Sequence, residues 1–360
     1  MDRRPASRVL ILGAGSAAGE NLIRSLRTAD PALDLVGAHD DRFVLKRSAT
    51  ETRFLLPSPR SRTFIRAVGR LVEEHGIDLI VPTSDTHVQA LSDGRHRVRG
   101  ALFLPDRAVV RLCQDKYRLT RMLRRSGVPA PATHRITTLT TVEQVFTRFE
   151  HRTLWCRPRT GTCARGGAAV SSPDEARAWI RLWHTMQRVP VRSFTLSEYL
   201  PGREILCQSL WHRGRLVLAN TFERLSYFGV ENIPSGVTSL SSLAKTVVAP
   251  AALDVCRRAI HAIAPTASGA FSVDVKEDSD GRPYVTEINA GRFFMAMTAF
   301  DRVLKHNMAL TYVQLALGAR VDFVDTYDAV DDYYMSRDLD LAPAVFHADE
   351  AFDGIQEVGA

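Results

Sequence analysis

The sequence predicts an α/β protein: a doubly wound parallel sheet at the N-terminus followed by two mixed α+β units. Three observations carry this. Up to about residue 104, short apolar runs (Val9-Leu12, Leu35-Gly37, Phe54-Leu56, Leu79-Val81 and Leu102-Leu104) alternate with stretches long enough for crossover helices. Runs this short, bounded by turn formers, are typical of strands buried on both faces. From about Val109 the pattern becomes a helical segment ending at Gly127-Val128-Pro129. Near the C-terminus, Ala270-Lys276 and Pro283-Ile288 read as paired strands with Asp280-Gly281 at their turn.

Between these landmarks the spacing predicts a strand at Leu154-Arg157, a glycine-rich loop to Gly167, a helix opened by Ser172-Pro173-Asp174-Glu175, and a strand at Phe194-Tyr199. A serine cap, a proline at the first helical position and acids in the first turn together start a helix. Beyond Gly202 come strands at Ile205-Trp211 and Leu216-Leu225 and a helix at Ala251-Ala264. The segment after Gly318 shows no clear periodicity and reads as an acidic extension, either mobile or a partner-binding arm.

A chain of 360 residues is too long for one small core and suits two or three packed units. With 45% apolar and 24% charged residues, it has the balance of a soluble globular protein. No apolar run approaches the length of a membrane span, so a cytoplasmic protein without membrane partners is expected. Cys113, Cys156, Cys163, Cys207 and Cys256 form no C-x-x-C pair and are odd in number, which points to free thiols in a reducing compartment. Cys163, in the glycine-rich loop, lacks an adjacent base and reads as a small neutral loop residue.

The net charge of +7 is unevenly spread. Residues 321–360 hold eleven acidic residues against the single Arg337, a net of −10, which leaves +17 on residues 1–320. The arginines of that basic body are scattered without aromatic interleaving, so nucleic acid is not expected as a partner. A nucleotide with an acidic co-substrate accounts for the charge.

Three motifs carry chemistry. Gly13-Ala14-Gly15-Ser16-Ala17-Ala18-Gly19 follows a strand and opens a helix, as in a dinucleotide-binding fingerprint, and Asp40 and Asp41 end the next strand. Its third glycine comes one residue late, and glycines also serve any tight strand-to-helix turn. Trp155 to Gly167, with Arg157, Arg159 and Arg165, sets a cation-bearing strand before a glycine loop. That combination can cradle a triphosphate, or be a surface hairpin with incidental arginines. Phe271-Ser272-Val273-Asp274 and Val285-Thr286-Glu287-Ile288-Asn289-Ala290-Gly291-Arg292 place Asp274, Glu287 and Asn289 at one end of a hairpin, with Glu287 and Asn289 on one face. Such hard oxygen donors suit magnesium held between nucleotide phosphates, and Arg292 can offset charge on a transferred phosphoryl group.

From about Val9 to Gly318 the order of these motifs resembles the ATP-grasp superfamily, in particular stand-alone proteins similar to the carbamoyl-phosphate synthase large chain. The resemblance implies a pre-ATP-grasp Rossmann-like domain over residues 1–108, which in that family does not bind a dinucleotide. It further implies an ATP-grasp subdomain over 109–201 with the glycine-rich loop, a second over 202–318 with the metal site, and an uncovered acidic extension over 319–360. It makes Lys116 a phosphate contact and puts Arg157 where a phosphate-binding lysine is usual, followed by Arg165, Gly166 and Gly167 of the loop. Arginine there keeps the charge but brings a planar fork.

By the same resemblance Glu198, Tyr199 and Leu200 face the adenine, Glu204 accepts from the ribose, and Asp274, Glu287 and Asn289 bind magnesium, or manganese in its place. Asn289-Ala290-Gly291-Arg292 is one residue longer than the usual Asn-Pro-Arg. Arg292 and Arg224 are the implied catalytic cations, Ser235-Gly236-Val237-Thr238 is the loop over the site, and Pro82 to His87 line the cleft from the first domain. Glu231 and His87 are candidate proton acceptors.

The implied reaction is ATP-dependent activation of a small-molecule carboxylate as an acyl phosphate, then displacement of phosphate by an amine. A bicarbonate-using enzyme of the carbamoyl-phosphate type and a non-catalytic nucleotide sensor share the motifs, and a homo-oligomer is compatible with the sequence.

Overall fold

A computed structural model describes residues 7–337, apart from residues 151, 163, 231, 232, 234 and 237, together with residues 354–358. Cys163 and Glu231 therefore lie outside the described residues, as do residues 338–353 of the acidic extension.

The first sheet contains β1 (Arg8–Leu12), β2 (Asp34–His39), β3 (Thr52–Leu55) and β4 (Leu79–Pro82) in the parallel order β3-β2-β1-β4. Val9 to Leu12 are fully buried because β1 is central, with helices α1 (Ala17–Ala29), α2 (Arg42–Lys46), α3 (Phe64–His75) and α4 (Asp85–Gly94) completing the unit. Ser16 caps α1 by accepting from the Gly19 amide, and Gly76 closes α3 in the left-handed conformation with φ of 60°. The strand expected at Leu102-Leu104 is absent. Ala101 makes one bridge to Leu79, and Pro105 has no N–H with which to continue a ladder. Phe103 is buried with Leu210, Leu218 and Tyr312, and Leu104 in the core of the first unit.

The helical segment after Val109 is two helices, α5 (Arg107–Gln114) and α6 (Lys116–Arg125). They break at Asp115, whose backbone is extended and whose side chain caps α6 by accepting from the Arg118 amide at 3.1 Å. Next comes a small antiparallel sheet of β5 (Thr133–Arg135), β6 (Leu154–Pro158), β7 (Ala168–Val170) and β8 (Phe194–Glu198), ordered β5-β8-β6-β7 and backed by α7 (Thr141–Arg148) and α8 (Pro173–Gln187). Helix α8 starts as its sequence dictates: Ser172 accepts from the Glu175 amide, and Glu175 accepts from the Ser171 amide at 2.7 Å.

The largest sheet joins β9 (Glu204–His212), β10 (Arg215–Tyr227), β11 (Ser241–Thr246), β12 (Gly269–Glu277) and β13 (Pro283–Ala290) in the order β13-β12-β9-β10-β11. Helix α9 (Pro250–Ile263) packs on one face of it, together with α5 and α6, around Trp211, Phe271, Val273 and Ile260. Helix α10 (Met308–Ala316) joins the first sheet to this one through Tyr312, which donates to the Phe103 carbonyl.

The acidic extension is not without structure. β14 (Thr326–Tyr327) pairs with β10, β15 (Tyr334–Ser336) adds to the edge of β11, and β16 (Gln356–Glu357) adds to β3 of the first sheet. Tyr327 explains the pairing: its hydroxyl lies 2.5 Å from that of Thr221 and accepts from the Ala249 amide. No helix among the described residues is long and apolar enough to cross a membrane.

Asp301, in the turn before α10, is buried against α1 and accepts from Ser25 Oγ and from the Met308 and Ala309 amides. Burial pushes its pKa up to about 7, with nearby Asp328 adding to the rise. The folded state therefore binds a proton more tightly than the unfolded state, and this residue's contribution to stability is lost as pH rises from about 4 through about 7. Asp301→Asn, which mimics the protonated form, should gain on the wild type by on the order of 3 kcal/mol in urea unfolding between pH 4 and pH 8. A difference that stays constant across that range would contradict the shift.

Candidate active site

A cleft of about 470 Å³ opens between the small and large antiparallel sheets, with the ends of the first unit closing one side. Its walls bring together Lys116, Arg157, Arg165, Gly167, Glu198, Tyr199, Leu200, Glu204, Arg224, Asp274, Glu287, Asn289 and Arg292. Gly166 of the glycine-rich loop does not line it.

The centre of the cleft is the middle of the β12-β13 hairpin, not its end as the sequence suggested, because both strands run on past Asp274 and Glu287. Asp274 and Glu287 stand directly opposite each other on the two strands, and Asn289 lies two pairs further along, on the same face as Glu287. Charge balance then comes from elsewhere. Lys116, the first residue of α6, puts Nζ 3.1 Å from Glu287 and donates to the Gly161 carbonyl at 2.7 Å. Arg157 on β6 reaches Glu287 at 4.0 Å and donates to the Thr286 carbonyl at 2.9 Å. Burial pulls the Arg157 pKa down, and Glu287 and Asp274 oppose that pull.

Asp274 accepts from Arg224 at 2.9 Å and from the Asn289 amide at 3.0 Å. Burial lifts its carboxyl to about 6; Arg224 works against this, and Glu287 and Glu204 add to it. Arg224 also donates to Glu204, which accepts from the Tyr227 hydroxyl and lies 3.8 Å from Lys276 Nζ. Burial would raise Glu204, yet Arg224, Tyr227 and Lys276 together hold it below the usual carboxylate range. Arg224 itself is raised: its buried guanidinium is stabilised by Asp274 and Glu204.

Arg292 is tied across units. Its NH2 group donates to Asp85 Oδ2 at 3.2 Å and to Asn289 Oδ1 at 2.6 Å. Gly291 makes this reach feasible. With φ at 93°, a Cβ there would stand 3.0 Å from Val88 of α4, so the residue lengthening the usual motif is one that lets β13 approach the first unit.

The glycine-rich loop after β6 is held from outside. Trp179 donates to the Gly166 carbonyl at 3.0 Å, a Cβ on Gly166 would meet Pro158 at 2.9 Å, and one on Gly167 would meet Trp155 at 2.8 Å. Arg165 lies over Trp183 and donates to Gln187. Glu198 accepts from the Ala132 amide at 2.6 Å, which fixes its carboxylate beside the hinge to β9.

Several cleft residues were not legible in the sequence. Lys276, Tyr227 and the run Phe294 to Met297 line it, and so does Arg337, delivered from the acidic extension by the pairing of β15 with β11; Thr83, Ser84 and Asp85 line it as the reading of Pro82 to His87 anticipated. Arg337 NH1 donates to the Ser241 carbonyl at 3.3 Å. His87, read as a candidate proton acceptor, is not among the lining residues. It is buried against Phe64, its Nδ1 lies 2.9 Å from Ser84 Oγ, and burial lowers its pKa to about 4. The thiols of Cys113 and Cys156 are likewise pushed up by burial and are inert.

The Gly13 to Gly19 loop does not offer an anion site. The carboxylate of Glu20 already occupies it, accepting from the Gly15 amide at 2.7 Å and from the Ala49 amide at 2.9 Å. The glycines are there for close packing: a Cβ on Gly15 would meet the Val44 carbonyl oxygen at 1.9 Å.

The donor set at the hairpin fits a hard divalent cation only in part. No three His, Cys, Asp or Glu side chains gather as a self-sufficient metal site among the described residues. Two carboxylates and an amide oxygen leave the rest of a shell to ligand oxygens and water.

The architecture matches solved structures at low sequence identity. An L-amino acid ligase from Bacillus licheniformis superposes with a TM-score of 0.65 at 15% identity, covering 88% of this chain and 75% of that one. The N5-carboxyaminoimidazole synthetase from Staphylococcus aureus, complexed with ADP, gives 0.67 at 13% identity, with 89% and 79% covered. The biotin carboxylase domain of 2-oxoglutarate carboxylase from Hydrogenobacter thermophilus, with MgADP, ADP and bicarbonate, gives 0.66 at 14% identity, with 92% and 74% covered. No protein-family model matches the sequence, and no curated protein does. The fold is the ATP-grasp fold that these structures share, as expected from the motif order.

Because Glu20 fills the glycine loop, calorimetric titration with NAD should show no binding, and Glu20→Ala should lose roughly 2 to 4 kcal/mol in urea unfolding as two backbone donors lose their acceptor. NAD binding to the wild type would show that the carboxylate yields its place to a pyrophosphate.

Proposed function

We propose that this protein is a cytoplasmic ATP- and magnesium-dependent ligase that activates a small carboxylate as an acyl phosphate and couples it to an amine. The observation that carries the reading is the convergence in one cleft of Lys116 and Arg157 with the oxygen donors Asp274, Glu287 and Asn289 of one hairpin. Two of the similar structures carry ADP or MgADP by name, which supports the same nucleotide here.

In this reading Lys116 and Arg157 exchange Glu287 for the phosphates, and Glu287, Asp274 and Asn289 hold the cation. Magnesium would screen the phosphate charge and raise the electrophilicity of the γ-phosphorus. Glu198, Tyr199 and Leu200 border the adenine, Glu204 takes the ribose, and the Arg165 to Gly167 loop covers the phosphates. Asp85 fixes Arg292 in the direction of the transferred group, and Arg224 offers a second cation for the substrate carboxylate. A carboxylate oxygen bonds to the γ-phosphorus as the bond to ADP breaks. The amine nitrogen then attacks the acyl carbon, phosphate leaves, and the nitrogen sheds its proton. The residues supply position and preorganised charge, as phosphoryl transfer requires.

Glu287→Ala should reduce substrate-dependent ADP release by about a hundredfold or more while the protein stays folded, since the side chain faces the cleft rather than the core. Unchanged turnover would remove Glu287 from the metal site. Arg157→Lys should keep ATP affinity within a few-fold, and Arg157→Ala should weaken it roughly tenfold or more by calorimetry. Equal affinity in all three proteins would mean that β6 does not face the triphosphate.

A further inference from the structure

We infer that the activated carboxylate carries an apolar substituent several carbons long, a deduction that rests on the ligase reading above. Beyond Arg292 the cleft lining turns apolar: Phe294, Met295, Ala296 and Met297 line it, as does Leu240. Phe294, Ala296 and Met297 are not loop decoration. They are buried in a cluster with Phe222 and Phe300, whose rings stack at 5.1 Å, so the wall is a rigid face of the core turned toward the cleft.

An apolar face inside a cleft gains by taking apolar ligand surface out of water, and methionines let it fit chains of differing shape. A second, independent observation places the charged end of the ligand. The Arg224 guanidinium stands 5.6 Å from the Phe294 ring centre, and its Nε is buried with no hydrogen-bond partner among the described residues. A carboxylate held at the cleft-lining face of this guanidinium would send its attached chain along that wall. A second carboxylate on the far end of the chain would have to be desolvated against Met297 and Leu240.

The experiment supplies ATP-magnesium with hydroxylamine as the amine and measures ADP release and hydroxamate for acetate against hexanoate, glycine against leucine, and glutamate. Hexanoate and leucine should exceed acetate and glycine in kcat/KM by about tenfold or more, as expected for several buried methylenes, and glutamate should fall with the small substrates. Met295→Ser and Leu240→Ser, at half-buried positions, should each cut that preference several-fold without changing ATP affinity, and Phe294→Leu should shift it while keeping the core filled. Turnover in which acetate, glycine or glutamate equals or beats the apolar acids overturns this inference and leaves the ligase reading standing. Failure of every acid to release ADP from a protein that binds ATP overturns both.

Discussion

Two carboxylates facing each other across a buried hairpin cannot remain so without compensating charge, and much of the cleft follows from that constraint. Asp274 and Glu287 are cross-strand neighbours on β12 and β13, and Glu204 is near enough to add to their repulsion. In a low-dielectric cleft the cost is met only by cations held close. Those cations come from three separate elements: Lys116 from α6, Arg157 from β6 and Arg224 from β10. The electrostatics of the hairpin thus fasten the small sheet and the helical segment to the large sheet. In the ligase proposed above, Lys116 and Arg157 would exchange the protein's own acids for the charge of a polyphosphate.

The first unit takes part by contact rather than by its glycine loop. Its sheet resembles a dinucleotide-binding one, but Glu20 seals the position where a pyrophosphate would sit. What it contributes is an edge. Asp85 grips Arg292, Asn21 donates to the Met295 carbonyl at 3.0 Å, and Ser25 meets the buried Asp301. The run from Arg292 to Asp301 is therefore shaped from both sides, by the core of the large sheet below and by α1 and α4 above.

Much of this was readable in the sequence, for physical reasons that differ by element. Strands buried on both faces announce themselves as apolar runs, and the hairpin around Asp280-Gly281 as two such runs about a turn; both stand as expected. Leu102-Leu104 has the same composition without being a strand, because burial by a crossing helix and sheet leaves the same apolar signature as burial within a sheet. β11, Ser-Ser-Leu-Ala-Lys-Thr, has too little alternation to be seen, and it forms because β10 offers it an edge. The acids and cations of the hairpin were legible because their spacing is local. Arg337 was not, since it enters the cleft only through the pairing of β15 with β11. It is a lone cation in an acidic stretch, and nothing in its neighbours marks it.

The packing of the glycine-rich loop also gives the molecule a built-in optical signal. Of its four tryptophans, Trp155, Trp179 and Trp183 surround that loop, each partly exposed, and Trp211 is sealed in the core of the large sheet. Emission from the three is sensitive to how tightly the loop lies on its bed, and emission from the fourth to whether the large sheet is intact. Loop displacement and global unfolding should thus leave different spectral traces in the unlabelled protein.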